Sequence, residues 1–259
     1  MKVVILCGGL GTRLREETEF RPKPLVEIGD KPILWHIMKL YSHWGFQDFV
    51  LCLGYKGDLI RRYFLDYQNM QNDLTLHLGA APAIKYHSAK AEQHWTVTLA
   101  DTGSLTMTGG RLRRIQKYVG DSTFMVTYGD GLADVNLSDV LKFHRKHKRL
   151  ATVTAVRPAS KYCILKTSVS GEVTSFREKP LASGWISAGF FLFEPGVFDY
   201  LTGDDCVLEE KPLQRLAAND QLRAYRHTGF WQPMDTFRES RLLNDLWASG
   251  KAPWRIWND

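Results

Sequence analysis

The chain has 259 residues, of which 44% are hydrophobic and 24% are charged, as in ordinary globular proteins. No stretch approaches the roughly 20 apolar residues that a membrane-spanning helix needs. The first apolar run is also shorter than the core of a signal peptide. These features predict one large α/β domain that neither spans nor binds a membrane.

The four cysteines, Cys7, Cys52, Cys163 and Cys206, are scattered and form no C-x-x-C pair. Structural disulfides and a cysteine zinc site are therefore not expected, and a reducing cytoplasm suits the chain. The net charge is +6, which leaves two explanations open, nucleic acid and phosphate-rich small molecules. The densest basic stretch, 142–149, is typical of the solvated face of an amphipathic helix.

Apolar periodicity predicts alternating strands and helices through the first 156 residues or so. Asp30 is expected to cap a helix that has Pro32 in its first turn and ends at Gly45. Further helices are expected near 58–67, 110–118, 138–148, 209–218 and 236–249. Strands are expected at 2–7, 49–53, 75–78, 83–87, 96–99, 124–128, 151–156 and 186–193, with a hairpin of 164–169 and 172–176.

Such alternation predicts an α/β fold with a mostly parallel, Rossmann-like sheet and helices on both faces. We see no repeat or long linker in the sequence, so residues 1–259 are expected to form a single domain. Its C-terminal part is expected to be small and irregular. An aromatic tail, 254–257, follows the last predicted helix.

A glycine-rich loop, Gly8-Gly9-Leu10-Gly11-Thr12-Arg13, lies at the carboxyl end of the first predicted strand, where open α/β sheets bind ligands. It is not a dinucleotide fingerprint, because Leu14 stands where a Gly or Ala is needed. It is not a Walker loop either, because no Gly-Lys-Ser/Thr follows.

Two cations accompany this loop, Arg13 and Lys23. Pro22 and Pro24 restrict the backbone around Lys23, which lowers the entropy cost of positioning its amine. A loop of backbone N–H donors with two fixed cations suits a polyphosphate. A plain tight turn is the alternative for the glycines taken alone.

The loop and the segment 22–24 resemble the signature of the sugar-1-phosphate nucleotidyltransferase family. Further stretches narrow the resemblance to the glucose-1-phosphate cytidylyltransferases of that family, nearly end to end. These are Trp35-His36-Ile37-Met38-Lys39, Gly54-Tyr55-Lys56-Gly57, Asp101-Thr102-Gly103, Thr108-Gly109-Gly110-Arg111-Leu112, Thr127-Tyr128-Gly129-Asp130-Gly131 and Gly229-Phe230-Trp231-Gln232-Pro233-Met234-Asp235-Thr236.

The resemblance implies CMP transfer from CTP to a phosphorylated acceptor with release of pyrophosphate, with Mg²⁺ as cofactor and a homo-oligomeric state. It implies a CTP-binding half at about 1–156 and an acceptor-binding part at about 157–259. Asp130 and Asp235 are expected to hold the metal. Arg13 is expected to neutralise the leaving pyrophosphate, Lys23 to bind the CTP phosphates, and Lys179 to hold the acceptor phosphate.

The residues expected to bind the nucleotide are Leu6, Gly8, Gly9, Leu10, Gly11, Thr12, Arg13, Lys23, Thr106, Arg111 and Gly129. Thr106, Gly110 and Arg111 are expected on a loop that faces the nucleotide and helps to read cytosine. The residues expected to bind the acceptor are Cys163, Glu178, Lys179, Ser187, Ala188 and Gly189.

The acceptor half departs from the family pattern. Cys163 and Ala188 replace glycines of the family, Ser187 replaces an asparagine, and Lys211 replaces a glutamate. The resemblance keeps glucose 1-phosphate as the expected acceptor. These departures leave another sugar phosphate, or a smaller phosphate or phosphonate, open as the alternative.

Two further function classes stay open, a catalytically weak nucleotide-binding regulator and a nucleic-acid-binding protein. The joint presence of Arg13, Lys23, Asp130 and Asp235 argues against the first. The absence of an aromatic-basic pattern for single strands argues against the second.

Overall fold

The structure is a computed structural model that describes residues 1–79, 83–87, 94–158, 163–178, 181 and 184–257. The strands are β1 (Lys2–Leu6), β2 (Glu27–Ile28), β3 (Lys31–Pro32), β4 (Asp48–Leu53), β5 (Leu74–His77), β6 (Ala83–Tyr86), β7 (Thr96–Asp101), β8 (Phe124–Tyr128), β9 (Gly131–Ala133), β10 (Ala151–Val156), β11 (Ile164–Thr167), β12 (Val173–Arg177), β13 (Ile186–Phe193), β14 (Leu222–Arg226) and β15 (Trp231–Pro233).

The helices are α1 (Arg15–Thr18), α2 (Ile33–His43), α3 (Gly57–Leu65), α4 (Tyr67–Gln71), α5 (Thr108–Arg114), α6 (Gln116–Val119), α7 (Leu137–His147), α8 (Lys211–Ala218) and α9 (Phe237–Ala248). Short 3₁₀ helices cover Thr12–Leu14, Lys23–Leu25 and Pro195–Tyr200. Within the described ranges, no helix has the length and apolar character needed to cross a membrane.

Among the described residues, seven strands form the central sheet in the order β14-β10-β13-β8-β1-β4-β7. Strand β13 is antiparallel to both of its neighbours, and every other neighbouring pair in this sheet is parallel. The predicted α/β fold with a mostly parallel sheet is therefore confirmed. The carboxyl ends of β1, β4 and β8 meet at one edge, which is where such sheets bind ligands.

Strand β1 is buried on both faces of the sheet. Val3 and Ile5 pack into the core cluster that also contains α2, and Val4 and Leu6 pack into the cluster on the opposite face. Burial on both faces explains why this segment is a continuous apolar run in the sequence rather than an alternating one.

The start of α2 differs from the prediction. Lys31 and Pro32 form β3, which pairs antiparallel with β2, and the helix begins at Ile33 with Pro32 as its N-cap. Asp30 is therefore not the N-cap, because it lies in the turn between the two short strands. Gly45, with φ of +83°, follows the end of α2 as expected.

The C-terminal part is more regular than predicted, since it supplies two of the seven strands in the central sheet. Strand β14 was not predicted; it pairs in parallel with β10 at the sheet edge. Its residues are only half-buried or exposed, so its apolar pattern is weak.

Two predicted helices are each divided in the structure. The helix predicted at 58–67 is two helices that meet at Asp66, and the helix predicted at 110–118 is two helices that meet at Ile115.

The aromatic tail is anchored to α2 around a buried histidine, His36. Its Nε2 lies 2.9 Å from the carbonyl oxygen of Ile28, and the indole Nε1 of Trp254 donates to its Nδ1 at 3.4 Å. Four indole rings lie 4.6 to 6.4 Å from the imidazole, those of Trp35, Trp247, Trp254 and Trp257. Burial lowers the pKa of His36 to about 4, so the imidazole is neutral at pH 7.

We expect the free energy of unfolding to fall as the pH drops from about 6.5 to about 4. In this window the unfolded chain protonates His36 at its ordinary pKa while the folded protein does not, so the contribution of neutral His36 is present above the window and lost within it. The pKa difference corresponds to about 3 kcal/mol. Urea denaturation between about pH 7 and pH 4 measures it.

The His36→Gln variant should show a flatter dependence on pH over the same window. His43→Gln, at the exposed end of α2, is the matched control and should follow the unmodified protein. Equal pH slopes for the unmodified protein and His36→Gln would contradict the assignment.

Candidate active site

A cavity of about 480 Å³ opens at the carboxyl ends of β1 and β8, within the size range of small-molecule sites. It is lined by residues 6–13, 23–24, 104–108, 111 and 128–130. Every residue expected to bind the nucleotide lies in this lining: Leu6, Gly8, Gly9, Leu10, Gly11, Thr12, Arg13, Lys23, Thr106, Arg111 and Gly129. The nucleotide-binding residues predicted from the sequence, which are spread from Leu6 to Gly129, thus lie together in one cavity.

Space and backbone conformation explain why the loop after β1 contains glycines. A Cβ atom at Gly8 would lie 2.2 Å from the guanidinium of Arg111. Gly11 has φ of +66°, and its carbonyl accepts hydrogen bonds from the amide of Leu14 and the hydroxyl of Thr18. A side chain at either glycine would push the loop out of this position.

Arg111 is buried in the wall of the cavity. Its guanidinium donates to the carbonyl oxygens of Gly8, Leu53 and Gly103 at 2.7 to 3.0 Å, and to the hydroxyl of Thr102 at 2.8 Å. Burial lowers its pKa, and the hydrogen bonds satisfy the guanidinium in place of water. Arg111 therefore connects the end of β4 to the loops that follow β1 and β7.

The predicted loop position of Gly110 and Arg111 is wrong, because both residues lie within α5. The helix packs so closely on the segment before α8 that a Cβ atom at Gly110 would lie 2.7 Å from the Cα of Asp204. Thr106, which precedes the helix, lies on the loop as expected and lines the cavity.

Lys23 lies at the centre of an ion-pair network at the mouth of the cavity. Its Nζ is 2.6 Å from Oδ2 of Asp130 and 2.6 Å from Oδ1 of Asp235. Arg13 adds a second cation, with Nη1 at 2.8 Å from Oδ2 of Asp235. The Lys23 side chain is only 10% exposed, so removing it would leave two carboxylates facing each other in a partly dry site.

A short antiparallel pairing brings Asp235 to Asp130. Strands β9 and β15 place Pro233 opposite Gly131, and the amide of Met234 donates to the carbonyl oxygen of Asp130 at 2.8 Å. Asp235 then precedes α9, whose capping box joins Thr236 and Glu239. The Glu239 carboxylate also accepts from the amide of Asp235 at 2.9 Å, which fixes the backbone of this residue.

The donor set at this point fits Mg²⁺. Two carboxylates that converge on a single cation offer hard oxygen ligands and leave other positions for phosphate oxygens. The described residues contain no cluster of three or more His, Cys, Asp or Glu side chains that could hold a metal by themselves.

Tyr128 is a lining residue that the sequence analysis did not single out, although it directly precedes the Gly129-Asp130 pair. Its hydroxyl donates to Glu209, whose other oxygen accepts from the hydroxyl of Thr108 at 2.6 Å. Burial, together with the Glu209 charge, raises the pKa of Tyr128 well above its usual range, so the phenol stays protonated. The hydrogen bond between Tyr128 and Glu209 therefore connects β8 to the segment before α8.

The residues expected to bind the acceptor are less closely gathered. Gly189, with φ of +82°, approaches Tyr128 so closely that a Cβ atom would lie 2.3 Å from the ring. Ala188 is 5% exposed and packs in the core, while its carbonyl accepts from the indole of Trp231 at 2.9 Å. Ser187 is exposed, and its hydroxyl accepts from the amide of Gly189.

The other acceptor residues lie away from the described cavity or outside the described structure. Cys163 and Glu178 are exposed at the ends of the β11–β12 hairpin and do not line the cavity. Lys211 is exposed at the start of α8. Lys179 lies outside the described residues.

Comparison with known proteins identifies the family. The nucleotidyl transferase family matches residues 2–232 of the chain. The glucose-1-phosphate cytidylyltransferase of Salmonella typhi is 49% identical over 259 residues, covering 99% of this chain and all of that protein.

Two solved structures support the fold. The UDP-glucose pyrophosphorylase complexed with UDP-glucose has a TM-score of 0.71 at 16% identity, covering 96% of this chain and 98% of that one. HddC from Yersinia pseudotuberculosis has a TM-score of 0.68 at 22% identity, covering 95% and 99%. The chain therefore belongs to the nucleotidyl transferase family, and its full-length similarity places it among the relatives of the glucose-1-phosphate cytidylyltransferases.

Proposed function

We propose that this protein transfers CMP from CTP to α-D-glucose 1-phosphate, giving CDP-glucose and pyrophosphate. The observation that carries the proposal is the cavity at the ends of β1 and β8, where a glycine loop, two cations and two carboxylates meet. The 49% identical relative over the full length supports both the nucleotide and the acceptor.

The reaction needs no general base. At neutral pH the acceptor phosphate is largely a dianion, because its second pKa is about 6. One of its oxygens attacks the α-phosphorus of CTP, a new P–O bond forms, and the bond to the pyrophosphate oxygen breaks. The protein therefore contributes positioning and charge neutralisation, as in other transfers at phosphorus.

The backbone amides of the loop 8–13 would hold the triphosphate, and Lys23 and Arg13 would neutralise it. Both cations are engaged with carboxylates in the present structure, so each would move a short distance to reach phosphate oxygens. Asp130 and Asp235 would hold Mg²⁺, which supplies charge neutralisation at the triphosphate. Arg111 would act by keeping the nucleotide loops in place, and Thr106 would face the base.

The acceptor is assigned to the other side of β8, beside Tyr128 and the segment 187–189. Lys179 would hold the acceptor phosphate, with Glu178, Cys163, Ser187, Ala188 and Gly189 forming the remaining predicted surface. In this assignment the CTP-binding half spans about 1–156 and the acceptor-binding part about 157–259 of one domain. We also propose that the protein acts in the cytoplasm as a homo-oligomer, without nucleic-acid or membrane partners.

The first experiment measures CTP-dependent pyrophosphate release with glucose 1-phosphate and Mg²⁺, with CDP-glucose identified by mass spectrometry. We expect turnover with glucose 1-phosphate and much slower turnover when ATP, GTP or UTP replaces CTP. An acceptor panel of other sugar phosphates and small phosphates or phosphonates tests the alternative acceptors. Absence of pyrophosphate release with every acceptor would contradict the proposal.

Asp130→Asn should lower kcat/KM by about 10² or more at saturating Mg²⁺, because an amide neutralises less of the charge on the metal and phosphates. Asp121→Asn is the matched control, since Asp121 is exposed in the turn before β8. Near-normal turnover of Asp130→Asn would show that this carboxylate does not hold the metal.

Lys179→Ala should raise the KM for the acceptor by about tenfold or more, while the affinity for CTP measured by calorimetry changes little. The reason is that its ammonium is assigned to the acceptor phosphate alone. Lys142→Ala, on the exposed face of α7, is the control. An equal loss of CTP affinity in Lys179→Ala would refute this division between the two substrates.

A further inference from the structure

Lys56, in the loop between β4 and α3, has an uncommon backbone conformation. Its φ is 50° and its ψ is 31°, in the left-handed region that favours glycine. A side chain is kept in this region only where its surroundings fix it, and such positions cluster at functional sites. The conformation therefore raises the question of what the lysine side chain does there.

The Lys56 side chain contacts the segment that joins the two cationic parts of the cavity. Its Nζ donates to the carbonyl oxygen of Thr18 at 3.0 Å and also to that of Glu19. These carbonyl groups lie at the end of α1, between the glycine loop that ends in Arg13 and the 3₁₀ helix that begins at Lys23. One ammonium group therefore holds the middle of a segment that has a cation of the site on either side.

Thr18 connects this contact to the glycine loop. Its hydroxyl lies 3.0 Å from the carbonyl oxygen of Gly11 and 2.9 Å from that of Leu14, and the residue is only 4% exposed. The two segments fit so closely that a Cβ atom at Gly11 would lie 2.7 Å from Cγ2 of Thr18. A displacement of Thr18 would therefore displace the glycine loop as well.

The backbone from which the Lys56 side chain extends is itself fixed to the cavity wall. The amide of Tyr55 donates to the carbonyl oxygen of Gly8 at 3.3 Å. A Cβ atom at Gly54 would lie 2.4 Å from the guanidinium of Arg111. Lys56 therefore connects a part of the protein that is already held in place to the end of α1.

Lys56 is not placed to bind the nucleotide directly. It is not among the described residues that line the cavity. Its ammonium group is half-buried among carbonyl oxygens, and it lies 5.2 Å from the ring centre of Tyr55. Any effect of Lys56 on the nucleotide therefore acts through the segment that it holds.

The proposed reaction depends on the position of that segment. Arg13 and Lys23 are engaged with carboxylates, and both would have to reach phosphate oxygens when CTP binds. If the backbone moved together with these side chains, the cations would lose their alignment with the phosphates. A misplacement of about 1 Å can cost about 10²-fold in rate.

We propose that Lys56 is a positioning residue for the triphosphate. By holding the carbonyl groups of Thr18 and Glu19, it keeps the glycine loop and Lys23 in place while phosphate oxygens replace the carboxylates. The proposal rests on the proposed CMP transfer and adds to that site a residue that lies outside the cavity lining. It also explains why a lysine is kept in a backbone conformation that suits glycine better.

The first test removes the ammonium group and keeps most of the side chain. Lys56→Met should raise the KM for CTP by about fivefold and lower kcat by about tenfold, because the cations lose their alignment. The KM for glucose 1-phosphate should change little. Lys56→Arg should restore part of the activity, since a guanidinium can donate to two carbonyl oxygens. Lys148→Met is the matched control, because Lys148 also has positive φ, +55°, and is exposed at the end of α7.

The second test separates positioning from a purely structural role. Lys56→Gly relieves the backbone strain while it removes the ammonium group, so Tm should stay within about 2–4 °C of the unmodified protein. Its KM for CTP and its kcat should nevertheless change as in Lys56→Met. Lys148→Gly is the control and should keep both kinetic constants. A lower Tm with unchanged kinetic constants in Lys56→Gly would show a structural role only and would overturn the proposal.

Hydrogen exchange and calorimetry give readouts that do not depend on turnover. The backbone amides of 12–22 should exchange faster in Lys56→Met than in Lys148→Met, and equal exchange would also overturn the proposal. If the unmodified protein binds CTP but releases no pyrophosphate, and Lys56→Met weakens that binding, CMP transfer is wrong and the positioning role stands. If Lys56→Met releases pyrophosphate as efficiently as the unmodified protein, CMP transfer stands and the positioning role is wrong.

Discussion

The placement of one ammonium group between two carboxylates organises this molecule. Lys23 is held between prolines near the start of the chain, Asp130 follows the central strand β8, and Asp235 precedes the last helix. The ion pairs therefore join three distant parts of the chain at the cavity mouth. Because like charges repel in a partly dry site, Asp130 and Asp235 can lie close together only when a cation lies between them.

The same arrangement links binding to charge balance. The cations that neutralise these carboxylates in the present structure are the ones assigned to the triphosphate. A metal that replaces Lys23 and Arg13 at the carboxylates would free these two cations to bind phosphate oxygens. Both the carboxylates and the phosphates would then keep a positive partner as the substrates bind, so no charge would be buried without one and the cost of desolvation would stay low.

The sequence was most informative where one local constraint decides the structure. The buried strand β1, the glycine loop and the prolines around Lys23 have patterns with a single physical reading, and the cavity contains all the residues predicted from them. The sequence was less informative where contacts between distant segments determine the structure. Strand β14 is defined by its pairing with β10. The position of Arg111 in the cavity wall depends on carbonyl groups of Gly8, Leu53 and Gly103, which lie far apart in the sequence. The prediction that Asp30 caps α2 was wrong, because the paired strands β2 and β3 precede the helix and Asp30 lies in the turn between them.

The packing of the aromatic tail has a consequence for the reaction site at the other end of α9. Trp254 and Trp257 pack around His36 together with Trp247, which belongs to the last turn of α9. The first turn of that helix holds the backbone of Asp235 through Glu239. The final residues of the described chain thus act as an anchor for one carboxylate of the site, although they lie a whole helix away from it. A change in the packing of Trp254 or Trp257 would therefore be transmitted through α9 to the charged centre and would not stay confined to the aromatic tail.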